Sequence, residues 1–235
     1  MRPSISVVVP AYNEEKCIGR LLKSLQEQEF AEEFEVIVVN NGSTDSTALI
    51  AKSFGVRLVE ERQKGLSRAM ARGCNEANGQ VICMTDADCV VTRDWLNKIW
   101  SRYVECPECV AVGGIFYFYD APFLLDVFVR ALMPIMPRIF IANLVGANMS
   151  FKAREYKAVG GFDPGSNLQA DNLLVNKLKS RGRIFLDKRV VVYTSSRRYK
   201  RGVRKMLGEV MARMINAISI KITGRVVFGN FEDVR

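Results

Sequence analysis

Residues 34–47, FEVIVVNNGSTDST, decide the fold because they contain an apolar strand, a polar turn and the start of a helix. The run at 34–39 is short and rich in β-branched residues, as buried strands are. The turn that follows leads to Ser46, a residue type that often begins helices. A strand that passes through a polar turn into a helix is the repeating unit of an α/β protein.

The same pattern recurs through the first 90 residues. We predict strands at 5–9, 34–39, 56–59 and 81–84, and helices at 14–28, from 46 and at 66–76. This alternation predicts a mostly parallel central sheet flanked by helices. Ligands of such sheets bind at the carboxyl ends of the strands. The polar clusters PAYNEE (10–15), NNGSTD (40–45) and TDAD (85–88) follow three strands, so we expect them to converge on one edge.

The second half of the sequence is less regular. We predict a strand at 110–119, a helix at 171–179 and one or two strands within 184–193. The glycine-rich segments 145–153 and 159–167 are predicted as loops. From residue 203 onward, apolar residues recur at helical spacing among basic ones, which predicts an amphipathic helix.

Positive charge is concentrated at the carboxyl-terminal end of the chain. The net charge is +9, and residues 181–235 contain 14 Lys and Arg against 4 Asp and Glu. This excess indicates an anionic partner: phosphate, an anionic membrane surface or nucleic acid. The sequence shows no signal peptide and no window of 18 apolar residues, so we expect a cytoplasmic protein.

Histidine is absent, which removes the commonest general base and the commonest transition-metal ligand. The six cysteines include one C-x-x-C pair, Cys106 and Cys109, and no second pair completes a zinc site. We therefore predict reduced cysteines that lie mainly in the core, with a disulfide between Cys106 and Cys109 as the alternative.

Asp86 and Asp88 form an acidic pair directly after the fourth strand. In an extended or turn geometry, both side chains point to the same side. A hard cation, Mg²⁺ or Mn²⁺, would relieve their repulsion and would also take oxygen ligands from a substrate diphosphate. The alternative is that the two carboxylates cap the segment that leads to Trp95.

Several motifs, taken in order, resemble those of family 2 glycosyltransferases. They are ISVVVPAYNEE (5–15), FEVIVVNNGSTDST (34–47), KGLSRAMARG (64–73), GQVICMTDADCV (79–90), GANMSF (146–151), VGGFD (159–163) and ADNLL (170–174). Each motif is modest alone, but the ordered set covers residues 4–200 and is specific. The resemblance implies a GT-A-like α/β fold over 1–200. Residues 1–90 would be its nucleotide-sugar half, 91–200 its acceptor half, and 201–235 a basic helical extension.

The resemblance also implies roles for individual residues. The donor-binding residues would be Pro10, Ala11, Tyr12, Glu14, Asn40, Asn41, Asp45, Arg68, Asp86, Arg197 and Arg198. Asp88, together with Asp86, would hold a divalent metal, and Asp171 would be the catalytic base. The acceptor-side residues would be Asn148, Gly161, Phe162 and Asp163. The alternatives are that Asn13 and Asp45 cap helices and that the arginines belong to a solvated basic loop.

The sequence departs from the family pattern at three positions. Asn40 stands where an aspartate is usual, although its oxygen can accept a hydrogen bond from uracil N3–H, which mildly favours a UDP-sugar. Met70 replaces a frequent arginine, so Arg68 or Arg72 would take the phosphate role. Ala170 replaces the glutamate that usually precedes the base.

The implied reaction is a single inverting displacement. Asp171 would take a proton from an acceptor hydroxyl, and the metal would stabilise the departing diphosphate. An acceptor that is a lipid phosphate would need no base. The acceptor would be a glycan or a lipid-linked molecule.

The basic helix at 201–225 has two interpretations. It would lie on the inner face of the cell membrane, or it would pack on the core or on a second subunit of a homodimer, which is slightly favoured. A nucleic-acid-binding module is a competing class, but no nucleic-acid motif appears. A nucleotidyltransferase that makes nucleotide sugars is another, but the glycine-rich phosphate loop expected near the first strand is missing.

Overall fold

A computed structural model describes residues 3–132, 146–166 and 169–197, with scattered positions between 208 and 227. The strands are β1 (Ile5–Ala11), β2 (Phe34–Asn40), β3 (Arg57–Glu60), β4 (Val81–Met84), β5 (Cys89–Val91), β6 (Cys109–Phe118), β7 (Met149–Lys152) and β8 (Arg183–Thr194). The helices are α1 (Ile18–Gln26), α2 (Thr47–Ser53), α3 (Leu66–Glu76), α4 (Trp95–Glu105), α5 (Phe123–Leu132), α6 (Ala153–Ala158) and α7 (Ala170–Leu178).

The described strands form one eight-stranded sheet in the order β3-β2-β1-β4-β7-β6-β8-β5. Within it, β1 pairs in parallel with β2 and β4, and β3 extends this parallel block beyond β2. The antiparallel strand β7 lies between β4 and β6 and so joins the two halves of the chain. Beyond it, β6 and β8 are parallel, and β5 runs antiparallel to β8. The structure confirms the predicted α/β architecture.

The first strand, β1, shows why the sheet has helices on both faces. Val7 and Val9 pack with residues of α1 and α4, whereas Val8 packs with residues of α3 and α7. Alternate residues of a strand point to opposite faces, so a strand that is apolar throughout must be covered on both. Gly73 allows α3 to approach closely, since a Cβ atom there would lie 2.4 Å from a side-chain carbon of Val8.

The first four strands and first three helices occur where the sequence predicts them. The bounds of α3 and β4 agree with the prediction. The first helix is shorter than predicted and begins at Ile18. Residues 14–17 form a turn instead, in which the Glu14 carbonyl accepts hydrogen bonds from the N–H groups of Cys17 and Ile18.

The loop predicted over 145–153 is wrong for the described part of that segment. Residues 146–148 form a 3₁₀ turn, and β7 follows directly. Phe151 of β7 stacks on the ring of Tyr156 at 5.0 Å, and the Ser150 hydroxyl donates to a β6 carbonyl at 3.0 Å. The two neighbouring strands and the buried ring contacts therefore determine this conformation, which the glycine-rich sequence does not show.

A disulfide joins Cys106 and Cys109, whose Cα atoms are 5.4 Å apart, so the prediction of reduced cysteines is wrong for this pair. The other four cysteines are free and buried, as predicted: Cys17, Cys74, Cys83 and Cys89. Burial raises the pKa of the last three thiols, which keeps them protonated and unsuited to bind a metal.

Arg198 and most of the predicted carboxyl-terminal helix lie outside the described residues. Among the described positions there, Ala212, Asn216 and Ile220 are buried, whereas Ile222 is exposed. The buried positions are four residues apart and would share one helical face, so this face packs against protein. Across the part of the chain that the structure describes, no helix is long and apolar enough to cross a membrane.

Candidate functional site

The polar clusters after β1, β2 and β4 lie at one edge of the sheet, as predicted. In the register of the sheet, Ala11 at the end of β1 pairs with Asn40 at the end of β2, and Asn40 pairs with Glu60 at the end of β3. Thr85 follows β4 directly, and its N–H donates to the carbonyl of Val8 at 3.3 Å. Four parallel strands therefore bring their carboxyl ends, and the polar loops that follow, to the same region.

Hydrogen bonds tie the loop after β1 to the loop after β2. Asn13 has a positive φ of 53°, and its side-chain oxygen accepts from the Thr44 N–H at 2.9 Å. Asp45 accepts from the N–H groups of Glu15 at 3.1 Å and Thr47 at 3.0 Å. Burial raises the pKa of Asp45, but these hydrogen bonds outweigh that effect, so the net pKa is lowered. Asp45 therefore braces the two loops, and its contact with a nucleoside stays a prediction.

The side-chain amides of Asn40 and Asn41 are engaged within the protein. Asn40 accepts from the Ser43 N–H at 3.1 Å and donates to Glu60 at 2.8 Å. Asn41 donates to two carbonyls of the β3–α3 loop at 3.0 and 2.8 Å, and accepts from the Gly65 N–H at 2.8 Å. These contacts hold both amides in place within the protein and give no preference for one nucleobase over another.

Tyr12 and Arg68 lie where the β3–α3 loop meets this edge. The Lys64 ammonium is 4.7 Å from the centroid of the Tyr12 ring and donates to the Tyr12 hydroxyl at 2.9 Å. Arg68, near the start of α3, donates to a glutamine of the preceding loop at 2.6 Å. Pro10 and Ala11 are buried within β1 and support the start of the loop that carries Tyr12.

An arginine near residue 200 joins two of these clusters. Arg197, which follows β8, forms an ion pair with the buried carboxylate of Glu14 and another with Asp88, at 3.2 Å. The Thr194 hydroxyl is 3.4 Å from the other Asp88 oxygen. Burial lowers the pKa of Arg197, but Glu14 and Asp88 raise it more, so the net pKa is raised. The guanidinium is therefore charged in a partly buried position.

Asp120 fixes the segment that carries Arg197, and the sequence did not single it out. Its carboxylate accepts from the Ser195 hydroxyl at 2.9 Å and from the Ser196 N–H. The sequence feature that could have indicated such a partner is the Ser-Ser pair between a predicted strand and the arginines. Small hydroxyl residues at a strand end need hydrogen-bond partners when they are buried.

Asp86 and Asp88 present carboxylate oxygens, the ligand type that Mg²⁺ and Mn²⁺ prefer. They do not cap α4, whose N-cap position is Asp94. Burial raises the pKa of the Cys89 thiol, and the charges of both carboxylates raise it further, so both lie near that thiol. Among the described residues, no group of three or more His, Cys, Asp or Glu side chains could hold a metal. The pair therefore fits a divalent cation whose remaining ligands are oxygens of water or of a substrate.

Asp171, the predicted base, lies in the first turn of α7. Its carboxylate accepts from the N–H groups of Gly146 at 3.1 Å and Asn172 at 2.8 Å. A Cβ atom built on Gly146 would lie 3.6 Å from Met70 of α3 and 3.8 Å from an Asp171 oxygen. The predicted base is therefore close to α3, the helix that contains the predicted phosphate-binding residue Arg68.

Asn148, predicted on the acceptor side, is 1% exposed. Its amide oxygen accepts from the indole N–H of Trp95 at 3.0 Å, and its amide nitrogen donates to the carbonyls of Ile115 at 2.8 Å and Val190 at 3.1 Å. These bonds connect α4, β6 and β8, so the observed contacts of Asn148 are structural.

The VGGFD segment forms a tight turn beside α6. Gly161 has a φ of 64°, and a Cβ atom there would lie 2.6 Å from the Tyr156 ring. Phe162 is buried against the same ring. Asp163 is exposed, and its carboxylate accepts from the Gly165 N–H at 2.9 Å. Of this segment, Asp163 presents its side chain to solvent, and its acceptor-side role stays a prediction.

A sequence model of one protein family, described as Glycosyl transferase family 2, matches residues 6–158. The chain belongs to glycosyl transferase family 2. The matched region contains the β1 and β2 loops, the acidic pair and β7, and so confirms the family predicted from the motifs.

Curated relatives agree with membership of glycosyl transferase family 2. Glycosyltransferase GlyA from Streptococcus pneumoniae is 32% identical over 122 residues, which are 50% of this chain and 17% of that protein. The glucosyl-dolichyl phosphate glucuronosyltransferase from Haloferax volcanii is 25% identical over 185 residues, 71% of this chain and 58% of that protein. The chain therefore spans only part of the length of these relatives.

A solved structure shows the same fold. The mannosyltransferase PcManGT from Pyrobaculum calidifontis, in complex with GDP-Man and Mn²⁺, has a TM-score of 0.73 with 23% identity, covering 94% of this chain and 65% of its own. This similarity confirms the GT-A-like fold predicted for this member of glycosyl transferase family 2.

Proposed function

We propose that this chain transfers a glycosyl group from a nucleoside diphosphate sugar to an acceptor nucleophile. The observation that carries the proposal is the meeting of Glu14, Asp88 and Arg197 at the carboxyl edge of the parallel strands. That edge is where open α/β sheets bind ligands. Its guanidinium suits the oxygens of a diphosphate, and its carboxylates suit the divalent cation that would accompany the diphosphate. Family membership and relatives named as glycosyltransferases support the same activity.

The donor would lie across the loops that follow β1 and β2. Tyr12 would flank the nucleobase, and Asn40 and Asn41 would act by holding the shape of the loops. Arg68 and Arg197 would contact the diphosphate, because a guanidinium forms paired hydrogen bonds with phosphate oxygens. We assign no nucleobase, since the observed partners of Asn40 and Asn41 lie within the protein and select no base.

Asp86 and Asp88 would hold a divalent cation together with the diphosphate oxygens. When bound, Mn²⁺ or Mg²⁺ would supply positive charge to the leaving diphosphate. The complex of PcManGT with Mn²⁺ supports this assignment, as does the oxygen-only chemistry of the two carboxylates.

Asp171 would accept the proton of an acceptor hydroxyl. The two N–H groups that bind its carboxylate would fix its orientation. The acceptor oxygen would form a bond to the anomeric carbon as the bond to the diphosphate breaks, so the anomeric configuration is inverted. A phosphate acceptor is already ionised, and Asp171 would then only position it.

The acceptor would be a glycan or a lipid-linked molecule. The glucuronosyltransferase from Haloferax volcanii is named for a glucosyl-dolichyl phosphate, which supports a lipid-linked acceptor. The excess of basic residues in 181–235 would help to hold the chain at an anionic membrane surface that contains such an acceptor.

A thermal-shift panel of UDP, GDP, CDP and dTDP sugars, with and without Mn²⁺, tests the proposal. A ligand at 100 times its Kd adds about 2.7 kcal/mol of stability, which for a chain of this size raises Tm by about 5–10 °C. The Asp171→Asn variant should keep this shift but lose turnover with a hydroxyl acceptor, because Asp171 would contact the acceptor and not the donor. If no sugar nucleotide raises Tm with any metal, the proposal is wrong.

A further inference from the structure

Arg197 contacts both a residue proposed to bind the metal and a residue proposed to bind the donor. Its guanidinium pairs with Asp88, the proposed metal ligand, at 3.2 Å. It also pairs with Glu14, whose carboxylate is buried in the loop after β1. The guanidinium of Arg197 therefore pairs with two carboxylates that follow different strands, one proposed to bind the donor and the other proposed to bind the metal.

A divalent cation at Asp88 and the guanidinium of Arg197 compete for the same carboxylate. Both are positive, so they repel at the short distances that sharing one carboxylate imposes. A donor diphosphate offers Arg197 an alternative partner with more negative charge, and arginine binds phosphate oxygens well. The favourable arrangement therefore differs between the free protein and the complex with donor and metal.

We propose that Arg197 is a positioning residue that exchanges partners, pairing with Asp88 and Glu14 in the free protein and with the donor diphosphate once a divalent cation binds Asp88. The second state rests on the proposed function, whereas the first rests on the ion pairs alone. The exchange would release Glu14 for a hydroxyl of the nucleoside at the moment when the donor arrives. Metal and donor would thus bind with positive cooperativity.

The surroundings of Arg197 allow its side chain to move while its backbone stays in place. Asp120 holds the two preceding residues, Ser195 and Ser196, by hydrogen bonds to a hydroxyl and a backbone N–H. The Arg197 side chain itself is 40% exposed. A long side chain on a fixed backbone can reach either partner by changing rotamer, without a movement of β8.

Calorimetric titration of Mn²⁺ alone into the wild type and the Arg197→Gln variant tests the first state. The variant should bind Mn²⁺ about tenfold more tightly, because a competing charge has been removed from Asp88. Arg189→Gln is the matched control. Arg189 lies on β8 and pairs with Asp187, which keeps a second partner in Arg102. This control should leave the Mn²⁺ affinity unchanged.

Titration of the nucleoside diphosphate that gives the largest thermal shift, in saturating Mn²⁺, tests the second state. Arg197→Gln should bind it about tenfold more weakly than the wild type, because the diphosphate loses a charged partner. A purely structural role of Arg197 would not produce opposite changes in the affinities for metal and nucleotide.

An unchanged or weaker Mn²⁺ affinity in folded Arg197→Gln overturns the inference, whatever the nucleotide result. If Arg197→Gln does not fold, Arg197→Met, which keeps a long side chain without its charge, should show the same rise in Mn²⁺ affinity, and no rise overturns the inference equally. Should no nucleotide bind the wild type, the proposed function fails, and the Mn²⁺ titration still decides the competition at Asp88.

Discussion

The Asn148→Ala substitution tests whether the GANMSF motif supports the site through packing or through direct contact with an acceptor. Truncation would remove three hydrogen bonds and leave a Trp95 indole N–H and two backbone carbonyls without their partner in a buried place. Each buried polar group that loses its partner costs about 1–3 kcal/mol. Partial relaxation reduces the sum, so we expect about 3–5 kcal/mol of destabilisation. Tm would fall by about 10 °C.

Urea unfolding followed by circular dichroism measures this loss. Asn75→Ala is the control, because Asn75 is an exposed residue of α3, and its change should stay within about 0.5 kcal/mol of zero. A loss below about 1 kcal/mol for Asn148→Ala, together with a large rise in KM for the acceptor, would refute the structural role and support direct contact.

Three further predictions concern stability and thiol chemistry. Gly73→Ala should destabilise the protein by about 1–3 kcal/mol in urea unfolding, because the added Cβ atom overlaps a side chain of β1. Gly19→Ala is the control: its added Cβ atom has its nearest neighbour at 3.8 Å, so this change should stabilise the protein by up to about 1 kcal/mol. Burial raises the pKa of Asp187, but pairing with arginines lowers it from 3.8 to about 2. Because the pKa of Asp187 is lower in the folded than in the unfolded chain, ionised Asp187 stabilises the fold above the unfolded pKa, and this stability is lost as pH falls through the folded pKa. Between about pH 4 and pH 2, the free energy of unfolding of the wild type should therefore fall by about 2 kcal/mol relative to that of Asp187→Asn. Thiol titration of the denatured chain should find four thiols without reductant and six with it, because of the Cys106–Cys109 disulfide; six thiols in both conditions would contradict this pairing.

Local sequence patterns predicted the elements of residues 1–90 well because these elements depend on local periodicity. The strands are apolar at successive positions, and the polar turns between them are short, so both the sheet and its ligand-binding edge follow from general rules. The second half was less predictable. The strand β7 is a short insertion between β4 and β6, and the glycine beside it resembles a loop signal.

Contacts within the site depended on neighbours that local patterns do not reveal. The Glu14–Arg197 ion pair joins residues 183 positions apart, and it exists because β8 ends beside β5 and the acidic pair. Asn40 was correctly placed at the edge, but its amide orientation depends on Ser43 and Glu60. Residue type and spacing identified most of the candidate side chains, whereas their partners required the packed structure.

If the acidic pair anchors a sugar nucleotide at the strand ends, a change of Asp88 should weaken donor binding. Calorimetry would compare binding of the preferred sugar nucleotide to the wild type and to Asp88→Asn in Mn²⁺. We predict that Asp88→Asn binds the donor at least about tenfold more weakly, and that Mn²⁺ no longer improves its affinity. Equal affinity and an equal response to Mn²⁺ in the two proteins would show that Asp88 does not anchor the donor through a metal.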